Sequence, residues 1–520
     1  MRPVIIVHSP GRTVLRMVRY ALLGAVLVPA TLLAQVPRAA TGAPRVGPPR
    51  GTVIVVGGGS MGPEIYQAFI DAAGGPDALI LDVPNAGGAD SYPSGPGSRT
   101  WRQAGARNIQ LFFTKDPRVA DSDSFSTVVK KAGGVWFQGG RQFRLVDAYG
   151  GTKTEAEFNA VLARGGVVGG SSAGASILGD FLVRGAPSNN NLIMDYPGYQ
   201  KGFAYLRGVG VDQHVVARER LADLADSIIP RYPQLLGISS DEGTAWVVRG
   251  DTGTIVGRSK AFVYGGNDPN DDGKPFLTLF PGDVYDLGAR RVMRRAYEGS
   301  EVTPAFIQAL FSKYENASAG GATVLVAKDG KVLVDRSFGI PPQPRYMPTT
   351  TVPQFSLGRI SDVFTGICSQ LSEPTSIGVT YTPSDSATPV MNQFQRCVAQ
   401  RASSPVGLHK TVATDSGEVF SNVDELYRMS LGLEQPLTYS RVTSGDAGAN
   451  REGIDRSRGW EQDRYRGVAR YRAFASAGGR RGVFVRVPER KATILILTND
   501  ESADVRGMSD AIAEKLLGNR

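Results

Sequence analysis

Cysteine and histidine are scarce in this chain. Its 520 residues include two cysteines, Cys368 and Cys397, and three histidines, His8, His214 and His409. With no cysteine near the N-terminus, a lipoprotein anchor has no attachment point. An oxidising compartment would let the two cysteines pair, and two free buried thiols are the other reading. Long apolar runs are missing too. The stretch Tyr20–Ala34 is shorter than a membrane span requires and Pro29 interrupts it, so no integral span is expected. Basic charge is not concentrated: the net +9 is scattered apart from short pairs such as Arg290-Arg291 and Arg480-Arg481. That favours a solvated face over a nucleic-acid stripe, and no nucleic-acid partner is expected. The turn Gly57-Gly58-Gly59-Ser60 lacks both the full dinucleotide fingerprint and a P-loop lysine, and reads as close backbone packing. Asp268–Gly273 copies half of an EF-hand loop, but Leu279 stands where the bidentate acid belongs. It reads as a polar turn, and no metal or other cofactor is expected.

The length calls for two domains. Hydrophobic content of 41% and charged content of 21% are those of a globular protein. Arg12, Arg16 and Arg19 precede the short apolar run, which ends in Ala34. This is the pattern of a secretory signal over residues 1–34, with an uncleaved anchor as the weaker alternative. A flexible leader rich in Pro, Gly and Ala would follow over residues 35–50, and the mature chain is expected to be secreted or periplasmic.

The stretch Gly165–Ser176 organises the first domain, residues 51–297. Val167 and Val168 give a strand signal that runs into small residues, and Ile177, Leu178, Phe181 and Leu182 recur at helical offsets. Strand, sharp turn and helix is the context that holds a serine at the tip of a nucleophile elbow, here Ser172. Backbone N–H groups from Ala173 onward would face developing negative charge. A glycine-rich turn with a capping serine is an equal reading of this segment alone. Strand patterns at Thr52–Val56, Ala78–Val83, Ile109–Phe113 and Val135–Gln138 alternate with helical ones, which predicts a mainly parallel sheet covered on both faces. A serine nucleophile needs a base. His214 closes an apolar strand after the elbow, whereas His8 lies in the signal and His409 follows Pro405 in a loop where a structural part is expected. Asp241 and Glu242 offer an orienting carboxylate between two strand-like pieces.

Four linked segments then resemble cyanophycinase and its relatives in the peptidase E family of serine peptidases. They are Gly139-Gly140-Arg141-Gln142, Gly170–Ala175, Asp212-Gln213-His214 with Arg218 and Arg220, and Gly237–Ala245. The resemblance covers the first domain. It implies an α/β three-layer fold like that of class I glutamine amidotransferases, with Ser172 as nucleophile, His214 as general base and Glu242 as orienting acid. The oxyanion donors would be the N–H groups of Ala173 and of Gly139 or Gly140. Gln142, Asp212, Gln213, Arg218 and Arg220 would line the pocket for a peptide substrate, and a homodimer is expected from the family only. Three positions depart from the family pattern. Arg141 replaces an acid, Ser171 replaces the usual threonine, and Asp223 stands where cyanophycinase has a third arginine. Arginines in such a pocket pair with substrate carboxylates, so this last change bears on which substrate fits. The loop holding Asn189-Asn190-Asn191 and Asp195–Tyr199 would wall the pocket.

In the second domain, residues 300–520, the order of elements looks like the α+β serine β-lactamase and penicillin-binding-protein fold. It includes a hairpin at Asp329-Gly330, final strands at Gly482–Val487 and Ala492–Asn499, and a closing helix from an N-cap at Ser502 to Leu517. The Ser-x-x-Lys motif of that fold is broken: Arg359 and Asp362 occupy the aligned positions and Ser361 is out of place. The resemblance therefore implies a module without its own chemistry, which binds peptide or cell-wall material or supports the first domain. The reading of the whole chain is an exported serine peptidase acting on a peptide or isopeptide bond, β-aspartyl bonds included. The alternative is a non-catalytic binding protein in which both folds have lost chemistry.

Overall fold

The central strand of the first half, Thr52–Val56, is β-branched at every position and buried throughout, as a strand covered on both faces must be. It pairs in parallel with Val167–Ser171 on one side and antiparallel with Thr244–Arg249 on the other. In this computed structural model the described residues are 46–93, 97–184, 186–187, 193, 196–315, 320–339, 354–370, 393–403, 406–434 and 459–518. The signal predicted for residues 1–34 and the Asn189-Asn190-Asn191 loop lie outside them.

Two sheets build the first half. In the nine-stranded sheet, five parallel strands (Thr52–Val56, Val167–Ser171, Gly134–Phe137, Ile80–Val83 and Ile109–Leu111) form one side. Antiparallel strands from Thr244 to Arg294 extend the other. The five-stranded sheet is mixed as well, with the strand Leu206–Gln213 parallel to Leu236–Ser240 and the latter antiparallel to Ala261–Tyr264. The sheets are therefore evenly mixed rather than mainly parallel. After Ser240 the chain returns through hairpin connections rather than helical crossovers, and hairpins join antiparallel strands. Apolar cores pack the nine-stranded sheet, one around Phe137, Phe158 and Trp246 and another around Phe69, Trp101 and Trp136.

Three local expectations are corrected. The helix after Ser172 spans only Ala173–Ser176, and Phe181 ends a short strand, Gly179–Phe181. Backbone bonds from Phe203 to Ile177 and from Leu206 to Leu178 capture this segment, so tertiary pairing overrides its helical periodicity. Residues 46–50 are not a free leader: the N–H of Val46 donates to Asp251 Oδ1 at 2.8 Å, and Arg207 N–H donates to the Val46 carbonyl at 2.9 Å. The closing helix, Val505–Leu517, starts at an N-cap supplied by Asp504, while the Ser502 hydroxyl bonds Asp500.

The second half holds a six-stranded antiparallel sheet, from Ala322–Lys328 and Lys331–Phe338 to Ala492–Thr498, and a small three-stranded sheet. Asp329 and Gly330 join the first two of these strands with φ values of 52° and 73°, the backbone that a two-residue hairpin turn with right-handed strand twist requires. Cys368 and Cys397 are joined in a disulfide between the helix Ser361–Gln370 and the helical stretch beginning at Cys397. Ser361 is buried, and its hydroxyl accepts a bond from Val419 N–H. The sheets of the two halves share no strand, yet Ala39–Arg520 is one compact unit. Buried ion pairs cross between the halves: Lys260 reaches Asp335 at 3.0 Å and Asp424 at 2.8 Å, and Arg428 reaches Asp241. Among the described residues no helix is long and apolar enough to cross a membrane.

Candidate active site

The site collects at the carboxyl end of the central strand, and the glycine turn that follows this strand makes room for it. Gly57 accepts from His214 N–H at 2.8 Å, and Gly58 accepts from Gly243 N–H at 2.8 Å. A Cβ on Gly58 would lie 2.1 Å from His214 Cε1, and one on Gly59 would lie 2.4 Å from Glu242 Oε2. Two of the site's side chains thus lie where these glycines would otherwise project carbon.

Ser172 follows the parallel neighbour of that strand at φ 58° and ψ −119°, outside the regions an L-residue favours. The conformation is held on both sides: Ser172 N–H donates to Val56 O at 3.1 Å, and Ala175 and Ser176 donate back to Ser172 O. Strain of this kind persists where surrounding bonds over-determine it. His214, at the end of Leu206–Gln213, also has a positive φ, 57°. Its Nε2 lies 2.8 Å from Ser172 Oγ, and its Nδ1 bonds Glu242 Oε1. The structure thus brings Ser172, His214 and Glu242 into one hydrogen-bonded line. Burial works against a charged Glu242, yet the hydrogen bonds from His214 and His409 hold its carboxyl well below the usual range. Asp241, the other acid that the sequence offered, is turned elsewhere. It accepts from Val216 and Ala217 N–H, from the Ser259 hydroxyl and from Arg428, and so anchors the chain just after His214.

Of the candidate oxyanion donors, Ala173 and Gly139 lie next to Ser172. Ala173 opens the short helix directly after Ser172, and a Cβ on Gly139 would lie 3.6 Å from Ser172 Oγ. Gly140 has φ 144° and packs against the Ala86 carbonyl, where a Cβ would collide at 2.0 Å. Of the candidate pocket residues, Gln142 is buried, and its side-chain Nε2 has no partner among the described residues. A buried donor without a partner is one that an arriving ligand can satisfy. Gln213 Oε1 accepts from Arg220 at 3.4 Å. Arg220 is buried and its pKa is pulled down to about 10, by burial first and by the neighbouring cations Arg184, Arg218 and Arg141. Arg218 is exposed. Asp212 is buried and accepts two hydrogen bonds of 3.1 Å from Arg184.

The sequence reading missed three residues. Arg184 also pairs with Asp223, so the acid at the position of the family's third arginine is ion-paired rather than bare. Arg428 and His409 come from the second half, and His409 Nε2 lies 2.8 Å from Glu242 Oε2. For His409 a signal did exist, since it is one of only three histidines; its distance along the chain hid the contact. Asp268 and Asp271 of the EF-hand-like turn accept backbone N–H bonds from Val292 and Thr278.

Residues 53–256 match the model of peptidase family S51. The first half of this chain is similar to that family. The cyanophycinase of Geminocystis herdmanii (strain PCC 6308) is 29% identical over 225 residues, covering 42% of this chain and 81% of the relative. Among solved structures, a peptidase from an acI-B1 actinobacterium shares 22% identity at a TM-score of 0.35, covering 46% of this chain and 97% of its own. A D-alanine carboxypeptidase from Burkholderia cenocepacia shares 14% identity at a TM-score of 0.30, covering 41% and 96% respectively. The family match and the cyanophycinase relatives support a serine-type peptidase.

Proposed function

We propose that the chain is an exported serine peptidase that cleaves a peptide or isopeptide bond through an acyl-enzyme. One observation carries the reading. The Ser172 hydroxyl, on a strained turn, is 2.8 Å from His214 Nε2, while the opposite ring nitrogen meets Glu242. In this reading His214 takes the Ser172 proton as Oγ attacks the carbonyl carbon, and the N–H groups of Ala173 and of Gly139 or Gly140 receive the oxyanion. The imidazolium, steadied by Glu242, returns the proton to the leaving amine, and water then releases the acyl group by the same steps. A positioned base contributes about 10²–10⁴ in rate and one oxyanion donor about 10²–10³.

Gln142, Gln213, Arg218 and Arg220 face the substrate, and the arginine-rich surround of Arg220 favours a carboxylate-bearing one. A β-aspartyl bond is the leading candidate within that class. The fold that accompanies this reading is a three-layer unit like class I glutamine amidotransferases over residues 51–297, followed by a β-lactamase-like unit over 300–520. Export and the signal over residues 1–34 belong to the same proposal.

Fluorophosphonate labelling tests the reading, because only an activated serine reacts. The label is expected on Ser172 and is lost in Ser172→Ala and His214→Ala. Label persisting in Ser172→Ala moves the nucleophile elsewhere. No label at all leaves a binding protein. A panel of β-aspartyl, α-aspartyl and arginine-containing peptides then separates the bond types.

A further inference from the structure

A triad carboxylate orients its imidazole through one oxygen, and the other oxygen decides whether the carboxylate itself is held. In Glu242 the first oxygen meets His214 Nδ1 and the second meets His409 Nε2 at 2.8 Å. One anchor leaves the carboxylate free to turn about its Cγ–Cδ bond, whereas two anchors on opposite oxygens fix its plane. Gly59 presses from behind, where an added Cβ would lie 2.4 Å from the second oxygen. The carboxylate is therefore clamped by His214, His409 and the glycine turn.

His409 does not swing on a loose loop. The Gly407 carbonyl accepts from Arg428 Nη1 at 3.2 Å, and Leu408 is buried. Lys410 N–H donates to Glu425 Oε2 at 3.1 Å, and Lys410 Nζ reaches Glu219 Oε1 at 3.1 Å. Arg428 also pairs with Asp241, the residue next to Glu242. The segment around His409 is thus tied to both halves of the chain within a few residues of the acid it meets. His409 lies outside residues 53–256, the part similar to the peptidase family, so this contact comes from the half of the chain that the family match does not reach.

We propose that His409 is a positioning residue for the serine centre: delivered by the second half of the chain, it holds the outer oxygen of Glu242 and so fixes the carboxylate that orients His214. This inference rests on the serine-peptidase reading above. It gives the second half a task that requires no nucleophile of its own, which is to complete the peptidase site by docking. The electrostatics agree: the hydrogen bond with Glu242 raises the pKa of His409 above the ordinary histidine value, against the opposing effect of burial.

The test compares His409→Ala and His409→Gln in the full chain, read by the rate at which a fluorophosphonate labels Ser172 over a range of probe concentrations. In His409→Ala the maximal labelling rate falls about 10- to 100-fold, the cost of misplacing a reacting group by about an ångström. The probe concentration at half-saturation stays put, because His409 does not touch the probe. His409→Gln, whose amide N–H can donate to the same oxygen, recovers most of the rate. Maximal labelling of His409→Ala at the parental rate overturns the proposal, and so does a Gln variant as slow as the Ala variant. A parent chain that does not label at Ser172 overturns the serine-peptidase reading and this inference with it. A labelled parent with an unaffected His409→Ala variant overturns this inference alone.

Discussion

Replacing Gly58 by alanine adds one carbon and leaves Ser172, His214 and Glu242 untouched. The new Cβ would lie 2.1 Å from Cε1 and 2.3 Å from Nε2 of His214. An ordinary contact begins near 3.4 Å, so the ring must retreat by more than about 1 Å. A displacement of that size at the reacting atoms costs about 10²-fold in rate, or about 2.7 kcal/mol of barrier. The substitution also strains the backbone, because Gly58 has φ 102°, a cost of about 1–3 kcal/mol in stability. The two effects can be separated. Gly75 has nearly the same φ, 104°, with nothing within 4 Å of its Cβ position. Gly75→Ala therefore carries the strain without the collision. Fluorophosphonate labelling and urea unfolding of both variants make the comparison. Both should lose stability, Gly58→Ala by about 1–3 kcal/mol more because its Cβ also collides with the buried ring, and only Gly58→Ala should lose labelling, by about 10²-fold. Parental labelling of Gly58→Ala, or an equal loss in Gly75→Ala, would refute the argument that Gly58 exists to admit the imidazole.

The contact of His409 with Glu242 predicts a pH-dependent stability. The folded pKa of His409 is raised, with Glu242, Arg428 and Glu425 as the charged groups around it. Its contribution is therefore full below the unfolded value near 6.5 and fades as pH climbs through the folded value. His409→Ala should destabilise more at pH ~6 than at pH ~9 in urea unfolding, and equal losses at both would contradict this. Arg428→Ala strands the buried Asp241 charge and should cost about 3–5 kcal/mol, with part recovered in Arg428→Met/Asp241→Asn. Replacing Cys368 and Cys397 by serine opens a cross-link between residues 29 apart and should cost about 3–4 kcal/mol in denaturant unfolding.

The parts of the site legible in the sequence were those encoded locally or by scarcity. A glycine-lined strand end with Ser172 at its tip is a short-range pattern, and the backbone there is strained as such a turn requires. His214 stood out because so few histidines exist and because it closes a strand. Between Asp241 and Glu242 the residues themselves were silent. The two are adjacent, and only the direction in which each side chain leaves the turn sends one to His214 and the other to Arg428. The helical offsets from Ile177 to Leu182 misled because periodicity reports which faces are apolar, and a strand pressed between neighbours can bury the same residues.

The amino-acid sequence by itself determined the local chemistry of this protein: where a strained serine can sit, and which half lacks the lysine of a β-lactamase motif. Those features depend on residues within a few positions of one another. Tertiary structure alone decided that the strand order is mixed, that Arg184 pairs with Asp223, and that His409 closes on Glu242 from the far half of the chain. Such contacts join residues whose separation along the chain carries no periodic signal, and they exist only once the sheets have packed and the buried ions at Lys260 and Arg428 have found their partners.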